Sequence, residues 1–488
     1  MAKLRIPVMV LLFTAAAMIE AVQCSSLTAL TNKDIWWHLR IGLWMLQTHA
    51  LPHNGLYSQS SGLPWIASSW AYETLLALGY KLLELRFLPV LLMSFKTALA
   101  VAAFFLAGGL RGRFWLAVAL SATVQWILGA LPLGPGHCSV ILFAIELFLL
   151  FASRRTGSPK PLFWLPPLFL VWANLDVQFV YGVGLLLLFT AALVVENLAR
   201  SSGHAWFESN RPSLPLAQVG MIGTLSLIAT LFTPYACRPY GVFFAITTGA
   251  ASRYLPDFRA MSFHQPQDYA LLLLTVAAFL ALGLRRSRDP FQIALLAGCA
   301  LLSFHAQRDL WLVALAAVAV IAEPAPGANQ VADANRKPVW KWRGFVTAGM
   351  VIVLLVLVIA LRIPRSREAL LARVARTYPV AACNYIREHQ LPQPVFNAYE
   401  WGGFLTWYLP EFPVAIDGRA DLYGDDFVIQ YSKVMNADLP YTSNSALTRA
   451  ATILLPRNSM MADVLSAVPA FRVAYSDSVA VVLTKQEQ

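Results

Sequence analysis

Long apolar runs recur along most of the chain, and short polar or basic segments separate them. A helix that crosses a bilayer needs about 20 predominantly apolar residues. The first run is too long for the apolar core of a cleaved signal peptide, so we expect it to remain as a span. We predict about eleven membrane spans, near residues 6–30, 87–108, 114–131, 138–153, 161–175, 179–199, 216–233, 268–284, 290–305, 309–322 and 345–362.

Basic residues follow these runs in clusters that all fall on one side of the membrane if the spans alternate. The positive-inside rule assigns that side to the cytoplasm. Lys3 and Arg5 then place the N-terminus in the cytoplasm, and the last span leaves the C-terminal part outside. The sequence therefore predicts a multi-pass membrane protein with an extracytoplasmic C-terminal segment.

Residues 363–488 have a different pattern from the rest of the chain. Helical patterns at 379–389 and 425–435 alternate with short apolar runs at 395–396, 414–416, 453–455 and 479–483. Short apolar strands that alternate with helices indicate a small α/β domain. We therefore expect a mainly α protein, with a polytopic helical bundle in residues 1–362 and an extracytoplasmic α/β domain in residues 363–488.

Composition and charge agree with a membrane protein. Of the 488 residues, 58% are hydrophobic and 13% are charged, whereas about a quarter of an average soluble protein is charged. The net charge is +11, but nucleic-acid binding would require basic residues clustered on one polar face. Because the basic residues lie between apolar runs, we expect membrane lipid and no nucleic acid as a partner.

The segment 31–69 is too polar to span, and residues 70–84 are apolar but short. We therefore expect residues 31–86 to form a large first extracytoplasmic loop. If its first part is helical, Asp34, Trp37 and His38 share one face, since positions three and four apart are neighbours on a helix. Trp36 lies on another face, which we expect to sit in the membrane interface, where tryptophan rings prefer to be. Glu73 follows in a second interfacial helix.

A carboxylate at the boundary between water and lipid suits an enzyme that joins a lipid-carried sugar to a water-side acceptor. Such an enzyme needs a base for the acceptor hydroxyl and a cation or donor set for the leaving phosphate. Asp34 can be the base, and Arg40, His38 or a later arginine can hold the phosphate. The alternative is that Asp34 only caps the interfacial helix.

Further polar residues lie at predicted outer ends of spans and could line a cavity that faces Asp34. Charged groups at membrane depth usually face the protein interior or a wet cavity. Arg308 is the candidate for the lipid phosphate because a guanidinium matches phosphate oxygens, and the alternative is an ion pair with Asp309. The other cavity candidates are Asn174, Asp176, Gln178 and His305.

Two polar sets remain, one in the spans and one in the C-terminal domain. Lys96 and Glu146 lie near the middle of their spans, and we expect them to neutralise each other as a structural pair. In the C-terminal domain, Asp417, Arg419 and Asp421 either bind an acceptor sugar or form a structural network that holds a turn.

At these motifs the chain resembles glycosyltransferases of the GT-C type, the class that includes protein mannosyltransferases and oligosaccharyltransferases. The likeness covers most of the chain and is closest to a bacterial group. Two of its patterns lie in the first loop and two in the C-terminal domain. They are Asp-x-Trp-Trp-His-Leu-Arg-x-Gly at 34–42, Pro-Trp-x-x-x-x-Trp-x-x-Glu at 64–73, Val-Phe-Asn-x-Tyr-x-Trp-Gly-Gly at 395–403 and Asp-Gly-Arg-x-Asp-x-Tyr-Gly at 417–424.

The resemblance implies an inverting transfer of a sugar from a polyprenyl-phosphate-type donor to an extracytoplasmic acceptor, at a bacterial cytoplasmic membrane. It assigns the first-loop carboxylate Asp34 as base or metal ligand, with Glu73 and His38 as catalytic and Trp37 as substrate-binding neighbours. The resemblance does not determine the cofactor, and a divalent cation is one alternative. Two positions depart from the pattern, because Lys33 stands where the class often has a second acidic residue and Asp176 stands where the group tends to have histidine.

Two functional hypotheses follow. The first is the lipid-linked-sugar glycosyltransferase. The second is a non-catalytic membrane scaffold or transporter on the same fold. A transporter would more often show broken helices at the midplane and paired halves, and a scaffold would tolerate the loss of Asp34 and Glu73.

Overall fold

The protein is mainly helical in the computed structural model, which describes residues 4–22, 28–109, 111, 113–202, 212–324, 341–364 and 366–486. The N-terminal part contains α1 Arg5–Val22, α2 Thr28–Thr31, α3 Ile35–Thr48, α4 Trp70–Leu83, α5 Phe87–Leu106, α6 Phe114–Ile127, α7 Gly136–Thr156, α8 Leu165–Leu175, α9 Phe179–Ser202, α10 Leu216–Thr230, α11 Arg238–Thr248, α12 Pro266–Leu284, α13 Pro290–His305, α14 Leu310–Ala322 and α15 Lys341–Arg362.

Four helical segments in the described ranges are long and apolar enough to cross a membrane: Trp70–Leu106, Gly136–Thr156, Phe179–Ser202 and Pro266–Leu284. A bent pair, Val346–Arg362 with Arg367–Val374, makes a fifth if it is one span. The shorter apolar helices are Arg5–Ile19, Phe114–Ile127, Leu216–Thr230 and Pro290–His305. These helices support a membrane protein, whereas the number of eleven spans stays a prediction.

Buried ion pairs mark one end of the helical bundle. The Arg154 guanidinium, near the end of α7, contacts Glu196 of α9 at 2.6 Å and Asp289 before α13 at 2.7 Å. Arg155 contacts Glu323, which follows α14, at 2.9 Å. Because α13 begins here while α7 and α9 end here, the opposite ends of these helices meet at the other end of the bundle.

The expected ion pair between Lys96 and Glu146 is wrong. Lys96 donates to the Gly129 carbonyl at 2.6 Å. Both carboxylate oxygens of Glu146 are buried without a hydrogen-bond partner. Gly182 of α9 lies against this carboxylate, since a Cβ there would come within 2.7 Å of Glu146 Oε2.

The C-terminal part contains seven helices and one four-stranded sheet within the described residues. Strand order is β1-β2-β4-β3, with β1 parallel to β2 and the other pairs antiparallel. The elements are α16 Arg367–Val374, α17 Val380–Glu388, β1 Val395–Asn397, α18 Tyr399–Tyr408, α19 Ala420–Tyr423, α20 Asp425–Met435, α21 Ser445–Arg449, β2 Thr452–Pro456, α22 Met460–Ser466, β3 Phe471–Ser476 and β4 Ala480–Lys485.

The prediction of a strand at 414–416 is wrong, although the other three predicted apolar runs, at 395–396, 453–455 and 479–483, do lie in or at the start of strands. Val414 forms a single parallel bridge with Ser58 of the first loop. Its N–H donates to the Tyr57 carbonyl, and its carbonyl accepts from the Gln59 N–H. The apolar run is thus buried against the first loop instead of joining the sheet. The strand that sequence reasoning missed, β3, is a half-exposed edge strand.

The first loop and the C-terminal part share one hydrophobic core, separate from the core of the bundle. Trp36 is fully buried there and contacts the rings of Tyr378, Phe404 and Trp407. The expectation that Trp36 sits in the membrane interface is therefore wrong, because the C-terminal domain covers that face of α3.

Candidate functional site

Asp34 lies directly before α3 and keeps its side chain free of the helix end. Asn32 Oδ1 accepts the Asp34 N–H at 2.7 Å and the Ile35 N–H at 3.3 Å. The Asp34 carboxylate makes no capping hydrogen bond, and instead its Oδ1 accepts from Trp37 Nε1 at 3.4 Å. The capping alternative is therefore wrong, because Asn32 binds the helix N-terminus and the Asp34 carboxylate is left for other contacts.

His38, one turn into α3, forms a buried pair with Glu73 of α4. His38 Nδ1 lies 2.9 Å from Glu73 Oε1, and the two residues are 6% and 1% exposed. Gly42 allows this approach, since a Cβ there would lie 2.0 Å from the Glu73 carbonyl oxygen. The Glu73 carboxylate contacts His38 Nδ1, and such a contact selects the tautomer and orients the ring. The other ring nitrogen, Nε2, is therefore the His38 atom that is left to transfer a proton.

The C-terminal domain approaches Asp34 and Lys33 through two glycines, Gly418 in a turn and Gly403 in α18. A Cβ at Gly418 would lie 1.8 Å from Asp34 Oδ1, and one at Gly403 would lie 2.3 Å from the Lys33 carbonyl. Only residues without a Cβ permit such close approach. The motifs at the two ends of the sequence thus meet at the same carboxylate.

Asp417 and Arg419 hold the turn that carries Gly418. Arg419 donates to Asp417 at 2.6 to 3.1 Å and to the Leu56 carbonyl at 2.9 Å, and both side chains are at most 1% exposed. The guanidinium also lies 5.0 Å from the centre of the Trp65 ring. This geometry is that of the structural network, the alternative to sugar binding.

Asp176 lies between α8 and α9 and is bound from two sides. Ser139 Oγ donates to Asp176 Oδ2 at 2.6 Å and accepts from Trp172 Nε1 at 2.7 Å. With its amide oriented to satisfy both neighbours, Gln178 donates to Asp176 at 3.3 Å and accepts from Arg308 at 2.9 Å. Asp176, Gln178 and Arg308 therefore form one polar chain, and the cavity that they would line stays a prediction.

Arg308 is held in place but is not fully buried. Its guanidinium lies 4.5 Å from the centre of the Phe258 ring and 3.6 Å from Asp309, which also accepts from Tyr181 at 2.6 Å. Its side chain is 20% exposed. The ion pair with Asp309 is thus present, and the guanidinium still reaches the surface.

The remaining candidates lie farther from Asp34. Asn174 accepts from Trp70 at 2.8 Å and donates to two carbonyls, so it joins α4 to α8. Arg40 stacks on Tyr57 at 4.6 Å from the ring centre, and His305 is exposed at the end of α13. We find no contact that brings Arg40 or His305 to Asp34 within the described residues.

The charges around Asp34 come from two segments of the chain, its own and the one that contains Asp257. Burial raises the pKa of Asp34, and Asp257 raises that pKa further, whereas Lys33 and His38 lower it. Burial also raises the pKa of Asp176, against the opposing effects of Ser139 and Arg308. Both carboxyl groups therefore titrate closer to neutrality than an exposed aspartate, which suits proton transfer.

Sequence reasoning missed Lys33 and Asp257, although Lys33 precedes the candidate base. Lys33 Nζ donates to Asp257 Oδ2 at 3.1 Å. Arg308 stacks on the ring of Phe258, the residue after Asp257. No local pattern marks Asp257, because it lies 224 positions from its partner. In the described part of the chain, no three His, Cys, Asp or Glu side chains are grouped as a metal ion would require.

No family model matches this sequence, and no curated protein shows significant similarity to it.

Proposed function

We propose that the protein is a membrane glycosyltransferase of the GT-C type. It transfers a sugar from a polyprenyl-phosphate-type donor to an extracytoplasmic acceptor with inversion. The observation that carries this proposal is that His38, which is paired with Glu73, acts electrostatically on both Asp34 and Asp176. Gln178 in turn joins Asp176 to Arg308.

Asp34 is the base in this proposal. Its carboxylate accepts the proton of the acceptor hydroxyl while that oxygen forms the new bond to the anomeric carbon. The bond from the anomeric carbon to the phosphate oxygen breaks, and its electron pair leaves with the phosphate. Burial and the nearby Asp257 support this role because they raise the pKa of Asp34 and so strengthen it as a base.

Arg308 is the group that binds the departing phosphate. A guanidinium binds phosphate oxygens through paired N–H donors, and Arg308 is partly exposed. Its stacking on Phe258, next to the Asp257 that binds Lys33, links it to the segment before Asp34. Because α9 is apolar enough to cross a membrane and begins beside Gln178, a lipid-borne phosphate can approach from the bilayer.

The test is transfer from polyprenyl-phosphate sugars in membranes that contain the wild type, Asp34→Asn or the control Glu388→Gln at matched amounts. Glu388 is an exposed carboxylate on α17, so its loss should leave transfer unchanged. We expect transfer by the wild type and a loss of about 100-fold or more in Asp34→Asn, the scale of general base catalysis. Equal transfer by both would remove Asp34 from the mechanism, and no transfer from any donor would favour the scaffold.

A further inference from the structure

An apolar cavity of about 440 Å³ lies among α1, α5 and α15. Met9 and Phe13 of α1, Phe104 of α5 and Val351 of α15 are among its walls. In the described part of the chain, Thr347 is the one lining residue with a polar side chain. Ligand sites commonly have volumes of about 300–1,000 Å³. Walls this apolar fit a hydrocarbon chain, because they offer a ligand almost no hydrogen-bond partner.

The cavity opens on the flank of the helical bundle. Met9 and Phe104 at its floor are 2% and 0% exposed, whereas Phe105 and Ile352 at its rim are 38% and 60% exposed. The helix α5 belongs to a segment that is long and apolar enough to cross a membrane, and α1 and α15 are also predominantly apolar. A hydrocarbon chain can therefore enter the cavity from the bilayer without passing through water.

The cavity lies at the end of the bundle that carries the buried ion pairs. Its α5 residues belong to the last two turns of that helix, and its α1 residues follow Arg5, the first residue of α1. The Arg5 guanidinium lies over Phe114, the first residue of α6. Arg113, directly before α6, donates to the last carbonyl of α14 at 3.3 Å, and Glu323, which follows α14, pairs with Arg155. We expect this end to face the cytoplasm, since basic residues cluster on that side.

Arg5 supplies a positive charge beside the cavity. Positions four apart share one face of a helix, so Arg5, Met9 and Phe13 follow one another along α1. The Arg5 guanidinium is 5.4 Å from the centre of the Phe114 ring, and that ring is 5.9 Å from the ring of Phe104. Arg5 is exposed, and no carboxylate among the described residues pairs with it. This arrangement matches a ligand that joins an anion to a hydrocarbon chain.

We propose that the cavity and Arg5 bind an anionic phospholipid, with one acyl chain among α1, α5 and α15 and the lipid phosphate on the Arg5 guanidinium. Guanidinium groups bind phosphate oxygens through paired N–H donors. Basic pockets between membrane helices on the cytoplasmic side bind anionic head groups. The lipid site does not depend on the proposed sugar transfer.

The phosphate of this lipid is not the phosphate of the sugar donor. Asp289, directly before α13, belongs to the buried ion pairs, so Arg308, which follows α13, lies at the opposite end of the bundle. The helix α9 runs between the two ends and has 24 residues, which corresponds to a length of about 36 Å. One phosphate cannot contact both Arg5 and Arg308, and the cavity therefore holds a second lipid.

The test is native mass spectrometry of the purified full-length protein in detergent, titrated with phosphatidylglycerol or phosphatidylcholine of identical acyl chains. Gly344→Phe places a ring in the cavity, and Gly349→Phe on the same helix is the matched control outside it. Nothing lies within 4 Å of a Cβ at either glycine, so neither variant should disturb folding. We expect Gly344→Phe to weaken phosphatidylglycerol binding by about 10-fold, the effect of excluding about two methylene groups, and Gly349→Phe to bind like the wild type.

Three further variants test the head group. The wild type should prefer phosphatidylglycerol to phosphatidylcholine by about fivefold, as expected for one cation beside an anionic head group. Arg5→Gln should lose this preference, whereas Arg5→Lys should keep it. Arg362→Gln, which removes an exposed arginine at the far end of α15, should also keep it. The proposal is overturned if Gly344→Phe binds as tightly as Gly349→Phe, if the two lipids bind the wild type equally, or if Arg5→Gln retains the preference.

Discussion

Substitution of Gly418 by alanine should disturb Asp34 from outside its own segment. The new methyl group would lie 1.8 Å from Asp34 Oδ1 and 3.0 Å from Trp37 Nε1. Because carbon–oxygen contacts below 3.0 Å are essentially absent from real structures, the carboxylate or the turn must move by about 1 Å. Overpacking of this kind costs about 1–3 kcal/mol of stability, and a displacement of about 1 Å at a reacting group can cost about 100-fold in rate.

Two measurements follow for the purified protein and its membranes: thermal unfolding in detergent and transfer of the lipid-linked sugar. Gly62→Ala is the matched control, since nothing lies within 4 Å of a Cβ there. Unfolding of the double variant Gly418→Ala with Asp34→Ala shows whether the clash is the cause, because contacting residues give non-additive effects. The reasoning is refuted if Gly418→Ala behaves like Gly62→Ala, or if loss of the Asp34 side chain brings no relief.

Two further predictions concern the turn beside Gly418. Arg419→Met leaves Asp417 buried without its partner and should lower the free energy of unfolding by about 3–5 kcal/mol. The control Arg387→Met breaks an exposed pair with Glu411 and should lower it by about 1 kcal/mol or less. Equal losses in the two variants would contradict the structural role of Arg419. Burial raises the pKa of Asp421 from 3.8 to about 6, so the stability linked to its protonated form is present below about pH 4 and is lost as pH rises through 6. Asp421→Asn should therefore gain up to about 3 kcal/mol relative to the wild type between pH 4 and pH 8 in chemical unfolding, and a pH-independent difference between the two proteins would exclude this cause.

Predictions from the sequence succeeded where neighbouring residues along the chain decide the outcome. Trp37 does share a face with Asp34, because helical spacing alone brings positions three apart together. The two helices predicted at 379–389 and 425–435, and three of the strands, also lie where the local patterns placed them, whereas the other five helices of the C-terminal part were not predicted.

Predictions failed where a distant segment supplied the partner. Lys96 and Glu146 are both buried, yet Lys96 donates to the Gly129 carbonyl, and the carboxylate oxygens of Glu146 have no hydrogen-bond partner among the described residues. Trp36 has the composition of an interfacial residue, but the C-terminal domain buries it. Sequence periodicity reports that a face is apolar and does not report whether lipid or protein covers it.

The sequence by itself indicated helices long and apolar enough to cross a membrane, the α/β character of the C-terminal part and the polar residues worth examining. These features depend on local apolar length, alternation and residue chemistry. Only the tertiary structure decided that His38 binds Glu73, that Gly418 lies on Asp34 and that Lys33 faces Asp257. Each of these contacts joins segments far apart in sequence, and each depends on close backbone approach or on the direction of a side chain. The hydrophobic pattern determines neither the close backbone approaches nor the side-chain directions, because many packings of the same helices would bury the same apolar faces.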